Sequence, residues 1–85
     1  MAWTINFSRQ VLKDVKKLRS ANLESNVRSL LDIIRRNPYE PPYEKLLGNL
    51  KRYYSRRINI KHRLVYSVDN ETKTIRVVSV WSHYE

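Results

Sequence analysis

Eighty-five residues suffice for one domain, residues 1–85, around a single modest core, and a hydrophobic content of 41% at a mean hydropathy of −0.65 describes a water-soluble chain. The lack of cysteine excludes disulfide staples and thiolate metal sites. Two histidines, His62 and His83, form no zinc pattern, and no apolar run approaches the roughly 18 residues that span a bilayer. The net charge of +9 favours polyanionic partners: nucleic acid, an acidic protein or a membrane surface.

In chain order, Trp3, Ile5 and Phe7 alternate with Thr4 and Asn6, the period of a half-buried strand. Ser8 stands where an N-cap belongs, ahead of a helix with Val11, Leu12, Val15 and Leu18 along one face and Lys13, Lys16, Lys17 and Arg19 on the other. Ser20-Ala21-Asn22 is a break, with Asn22 expected to cap a second helix. Val27, Leu30, Leu31 and Ile34 recur there at helical spacing, and Pro38 ends it. Arg35 and Arg36 in its last turn suit the negative end of the helix dipole. Residues 37–42, with three prolines, form a stiff connector that delivers Tyr43, Glu44 and Lys45 to a sheet edge, and Gly48-Asn49 marks a turn.

Between Lys45 and Val68 there are seven basic residues and no acidic one, whereas residues 1–44 carry eight basic and five acidic side chains. The stretch reads as two strands folded back on each other. Tyr54, Ile58 and Ile60 share an apolar face on the first strand, Leu64, Tyr66 and Val68 on the second. A three-residue loop, Asn59–Lys61, then pairs Arg57 with Arg63 on the face away from the helices. Opposed like charges destabilise a sheet, so an anion is expected between them; the alternative is two solvated arginines splayed apart. Asp69-Asn70-Glu71 supplies a turn, and residues 73–81 form a β-branched interior strand that leads to His83 and Tyr84. The expected fold is α+β, ordered β-α-α-β-β-β, with a helical hairpin on one face of a small, mainly antiparallel sheet. No charged-then-apolar leader opens the chain, and a cytoplasmic protein is expected.

Four segments together resemble the RelE/ParE superfamily of toxin–antitoxin toxins, specifically its Txe/YoeB branch. They are Asn37-Pro38-Tyr39-Glu40; Glu44 followed by Leu46; Tyr54-Ser55-Arg56-Arg57-Ile58 with His62-Arg63-Leu64-Val65-Tyr66; and the terminal His83-Tyr84. The resemblance implies a ribosome-dependent endoribonuclease that cuts mRNA without a cofactor and is silenced by an acidic antitoxin of the YefM/Axe kind; the helices and the remaining sheet edge offer a surface for that antitoxin or for a homodimer, and periodicity does not choose between them. It implies Glu44 as general base, His83 as general acid, Arg63 and Arg57 as phosphate-stabilising cations and Tyr84 as a positioning residue, with Arg56, Lys51 and Lys45 as further substrate-binding cations. Three departures stand out, one being that Glu85 extends past the usual His-Tyr end. A lysine common in the family three residues after the glutamate is Leu47 here, with Lys45 and Lys51 nearest in sequence. Pro41-Pro42-Tyr43 replaces the usual Gly/Lys-rich connector.

Metal-free RNA cleavage needs a base for the 2′-OH, cations for the phosphorane and an acid for the leaving 5′-oxygen. Glu44, the two arginines and His83 supply one candidate for each. Each has a plainer reading: a surface carboxylate beside Lys45, solvated arginines, a frayed chain end. Two other functions compete, namely a ParE-like toxin acting on DNA gyrase and a non-catalytic RNA- or ribosome-binding module, for which the basic hairpin alone would suffice.

Overall fold

The computed structural model describes residues 3–45 and 53–82. The Gly48-Asn49 turn, Leu47, Lys51, His83 and Tyr84 lie outside the described residues. In chain order the elements are β1 (Thr4–Phe7), α1 (Arg9–Ser20), α2 (Glu24–Arg36), β2 (Glu44–Lys45), β3 (Tyr53–Arg57), β4 (Arg63–Asp69) and β5 (Thr74–Ser82). The strands form one sheet in the order β1-β5-β4-β3-β2, with β1 parallel to β5 and the other pairs antiparallel. The expected order of elements is observed, with one addition. Glu44 and Lys45, expected at a sheet edge, pair with β3 as an edge strand of their own.

Ser8 caps α1 as expected. Its Oγ accepts from the Val11 amide at 3.4 Å and donates to the Val78 carbonyl at 2.9 Å, so the cap also pins the helix to β5. The buried face of α1 is Val11, Asp14 and Leu18, not the expected run through Leu12, which is 66% exposed. Positions 11, 14, 15 and 18 are the i, i+3, i+4, i+7 set of a helix, and this geometry puts the carboxylate inside. It is bonded there: Asp14 Oδ2 accepts from the Val80 amide at 3.2 Å and Oδ1 from Gln10 Nε2 at 2.9 Å. The Val80 amide needs that acceptor beside an irregular register in which Tyr66 opposes Val77 and Val65 opposes Ser79.

Asn22 does not cap α2. It ends α1, at φ 58°, in the left-handed region that asparagine tolerates. The Leu23 amide bonds the Leu18 carbonyl at 2.9 Å and the Asn22 amide bonds Arg19 at 3.2 Å, the two bonds of a Schellman motif. Leu23 then leads into α2 and packs on the core without a side-chain cap. The helix stops at Arg36, and Asn37 is extended (φ −159°, ψ 103°), as a residue before proline must be.

One face of the sheet gives Ile58, Leu64, Tyr66, Ile75, Val77 and Val80 to the core; Val11, Leu18, Val27 and Ile34 of the helices cover them. The two layers exclude water from both apolar faces at once. No helix among the described residues is long and apolar enough to cross a membrane.

Candidate active site

Strand register builds the site. The β3–β4 hairpin turns at Asn59–Lys61, where the Ile58 and Asn59 amides bond the His62 carbonyl at 2.9 and 3.3 Å. Asn59 Oδ1 accepts from the Lys61 and His62 amides at 2.9 and 2.7 Å. This closed turn sets Arg57 directly opposite Arg63, as the loop length predicts, and it carries Ile60, expected on the apolar face, out to solvent at 94% exposure. Side chains alternate across a strand, so Ser55, Arg57, Arg63 and Val65 share the face away from the helices.

The repulsion between the two guanidinium groups is answered from the sheet edge. Glu44 of β2 pairs with Ser55, which brings its carboxylate to the same face. Glu44 Oε2 accepts from Arg63 Nη1 at 2.7 Å, and the same nitrogen lies 3.5 Å from Ser55 Oγ. The Arg63 side chain is 20% exposed and Glu44 63% exposed, so the pair opens to solvent on the acidic side. Arg57 is exposed and makes no ion pair among the described residues. One cation is therefore held by the carboxylate while the other is available to an incoming anion.

Strand β5 ends beside the same point. Ser82, the last described residue of β5, is the register partner of Arg63 on the side opposite β3. His83 follows Ser82 directly in sequence, and Tyr84 follows that.

Arg56 is turned into the protein. Expected among the substrate-binding cations, it is 2% exposed and bonded to the protein itself. Nε donates to Tyr66 Oη at 3.3 Å, Nη1 to the Pro42 carbonyl at 3.2 Å, and Nη2 to the carbonyls of Pro38, at 3.3 Å, and Glu40. Tyr66 Oη donates to Pro38 at 2.7 Å. Burial raises the Tyr66 phenol above its usual pKa, partly opposed by the Arg56 guanidinium. Arg56 thus binds the connector to the sheet, and Glu44 leaves that connector two residues after Pro42. Lys45 is exposed, but it pairs with Tyr54 and falls on the face opposite Glu44.

A pocket of about 290 Å³ lies across the β2–β3 edge, lined by Glu44, Ser55, Arg57 and Arg63 together with Pro42, Tyr43, two residues of α2 and the buried Arg56. Sequence reasoning missed Ser55 and Tyr43. Ser55 was legible from its alternation with Arg57; Tyr43 gave no signal, because only the folded connector sets it at the pocket. Among the described residues no group of three or more His, Cys, Asp or Glu side chains could hold a metal ion.

Residues 7–84 match the family model described as the YoeB-like toxin of bacterial type II toxin–antitoxin systems. The chain is similar to the toxin YoeB of Synechocystis sp., at 36% identity over 74 residues, 85% of this chain and 77% of that protein. It superimposes on the YoeB dimer from Staphylococcus aureus with a TM-score of 0.82 at 38% identity, covering 99% of this chain and all of the other. The YoeB–YefM complex of the same organism gives a TM-score of 0.79 at 39% identity, with the same coverage. A YoeB/ParE toxin from Agrobacterium tumefaciens gives 0.85 at 25% identity, covering 95% of this chain and 99% of that one. With Glu44, Arg57 and Arg63 gathered on one face and the family's pattern running through nearly the whole chain, this protein belongs to the YoeB-like toxins of bacterial type II toxin–antitoxin systems.

Proposed function

We propose that this toxin is an endoribonuclease that cuts mRNA on the translating ribosome by metal-independent acid–base chemistry. The observation that carries the reading is the 2.7 Å Glu44–Arg63 pair beside exposed Arg57, on the strand partner of Ser82. In the resting protein Arg63 holds the carboxylate. An RNA phosphodiester competes for Arg63 and Arg57, and Glu44 is then free to accept a proton.

Glu44 takes the 2′-OH proton as O2′ attacks phosphorus. Arg63 and Arg57 stabilise the charge that gathers on the non-bridging oxygens. Protonated His83 gives its proton to the departing 5′-oxygen. The products are a 2′,3′-cyclic phosphate and a 5′-hydroxyl, with the proton count balanced. Imidazole titrates close to working pH, which suits a group that must give up a proton. Tyr84 orients the substrate, and Lys51 and Lys45 add positive charge along the RNA path.

Partners follow from the same charge. A chain of net charge +9 suits both an RNA-rich ribosomal site and an acidic antitoxin of the YefM kind, the partner in the Staphylococcus aureus complex. A homodimer, as in the related YoeB structure, is a further assembly. Cytoplasmic action is implied by a ribosomal target.

Primer extension on mRNA from an in vitro translation reaction tests the proposal. Wild type should yield cuts at defined codon positions, and His83→Ala should lower the cleavage rate by roughly 10²–10⁴-fold with an unchanged circular dichroism spectrum. Undiminished cutting by that variant would remove His83 from the mechanism. A wild-type chain that inhibits gyrase, or that binds ribosomes without cutting, would overturn the nuclease assignment.

A further inference from the structure

The pocket beside Glu44 has two dissimilar halves. Glu44, Ser55, Arg57 and Arg63 make one; Leu30 and Ile33 of α2 with Pro42 and Tyr43 make the other, which the buried Arg56 also lines from beside the Tyr43 ring. A phosphodiester and its 2′-hydroxyl need only the charged half. Apart from the Arg56 guanidinium the second half is apolar, with a single aromatic ring, which is the chemistry of a nucleobase site: every base has a π-face, and aromatic side chains hold it whatever its edge. At about 290 Å³ the pocket stands at the lower end of small-ligand sites, roughly 300–1,000 Å³, and suits one base.

Tyr43 is half-buried and firmly set. Its ring meets Tyr54 edge-on at 5.6 Å and Tyr39 at 6.4 Å, and Tyr54 in turn stacks on buried Tyr66 at 5.7 Å. The guanidinium carbon of Arg56 lies 5.8 Å from the Tyr43 ring centre, and its Nη1 donates to the carbonyl of Pro42, one residue earlier. A ring already fixed in place loses little freedom when a ligand stacks on it. A purely core tyrosine would be covered, as Tyr66 is. Tyr43 instead keeps part of its surface on the pocket.

We propose that Tyr43, walled by Leu30 and Ile33, is a nucleobase subsite for a single-stranded nucleotide adjoining the scissile phosphate. The inference rests on the nuclease reading above. Tyr43 immediately precedes the edge strand that Glu44 begins, and both border the one pocket. The RNA therefore crosses the β2–β3 edge, with its phosphodiester at Arg63 and a neighbouring base against Tyr43. Arg56 is a positioning residue for that ring. Stacking strength rather than edge recognition governs such a site, so purines bind it better than pyrimidines.

The test uses ribosomes programmed with mRNAs that carry one abasic nucleotide at each position flanking the cut, and measures kcat and KM separately. Tyr43→Leu should raise KM roughly tenfold, with kcat within about twofold, as expected for loss of one stacked base. Tyr43→Phe should keep the wild-type KM. One abasic position should raise KM for wild type by a similar factor and have no further effect on Tyr43→Leu. Ile33→Trp, which fills the subsite and leaves Tyr43 in place, should raise KM in the same way and serves if Tyr43→Leu folds poorly. Cutting by wild type with both variants at the wild-type KM overturns the subsite alone. A wild type that cuts no RNA overturns the nuclease reading and the subsite with it.

Discussion

Glu44 and Arg63 show how little a functional contact need contribute to stability. Their 2.7 Å ion pair has a carboxylate that is 63% exposed, and exposed pairs are worth about 0–1 kcal/mol because solvent screens them and two side chains lose freedom. Glu44→Gln should therefore move the urea midpoint by less than about 1 kcal/mol in stability, while cleavage falls roughly 10²–10⁴-fold through loss of the base. A parallel loss of fold and activity would mark Glu44 as structural. Arg57 and Arg63, adjacent in register and alike in charge, differ for the same reason: only Arg63 has the carboxylate within reach. Arg56, next in sequence to Arg57, points to the other face and becomes an interior strut.

At the scale of elements, the connector between α2 and β2 decides where the carboxylate stands. Proline-rich segments lack amide donors and cannot join a ladder through them, so this one is held by its carbonyls. Three of them, on Pro38, Glu40 and Pro42, accept from Arg56. Hydrogen bonds from a charged donor contribute about 1.5–3 kcal/mol each, and a buried acceptor left without a partner costs more than a bond never made. Arg56→Ala should destabilise the protein by about 3 kcal/mol or more in urea denaturation, and Arg56→Lys should rescue it poorly, since a single ammonium cannot reproduce the planar fork. Equal stability of wild type and Arg56→Ala would show that the connector is held by its aromatic contacts instead. Those contacts are extensive: Tyr39 meets Trp3 at 6.4 Å and Tyr54 at 5.8 Å, both edge-on.

For the whole molecule, one buried phenol links the two layers to pH. Tyr66 is fully buried, donates to Pro38 and accepts from Arg56. Burial raises its pKa above the ordinary tyrosine value of about 10. A raised folded-state value means that the native protein keeps its proton where the unfolded chain loses it. The contribution is fully present below pH 10 and is lost as pH rises through the folded-state value. Thermal melts should thus show no dependence on Tyr66 up to about pH 10 and a fall above it, and the fall should be shallower in Tyr66→Phe. An identical alkaline slope in that variant would assign the loss to other groups, Tyr54 first among them, since burial raises its pKa as well.

Local rules determined much of this molecule in advance. A period of 3.6 marked both helices, a period of 2 the strands, and the loop length between β3 and β4 sufficed to oppose Arg57 and Arg63. Such features depend on residues within a few positions of each other, and sequence displays those directly. Tertiary structure alone decided what spans long separations: that Asp14 binds an amide 66 residues away, that Arg56 turns inward to carbonyls 14 to 18 residues before it, and that Tyr43 borders the pocket. A polar side chain can serve a surface or a buried acceptor equally well, and its own neighbours in sequence do not distinguish the two. The choice is made by where other segments leave hydrogen-bonding groups that water can no longer reach.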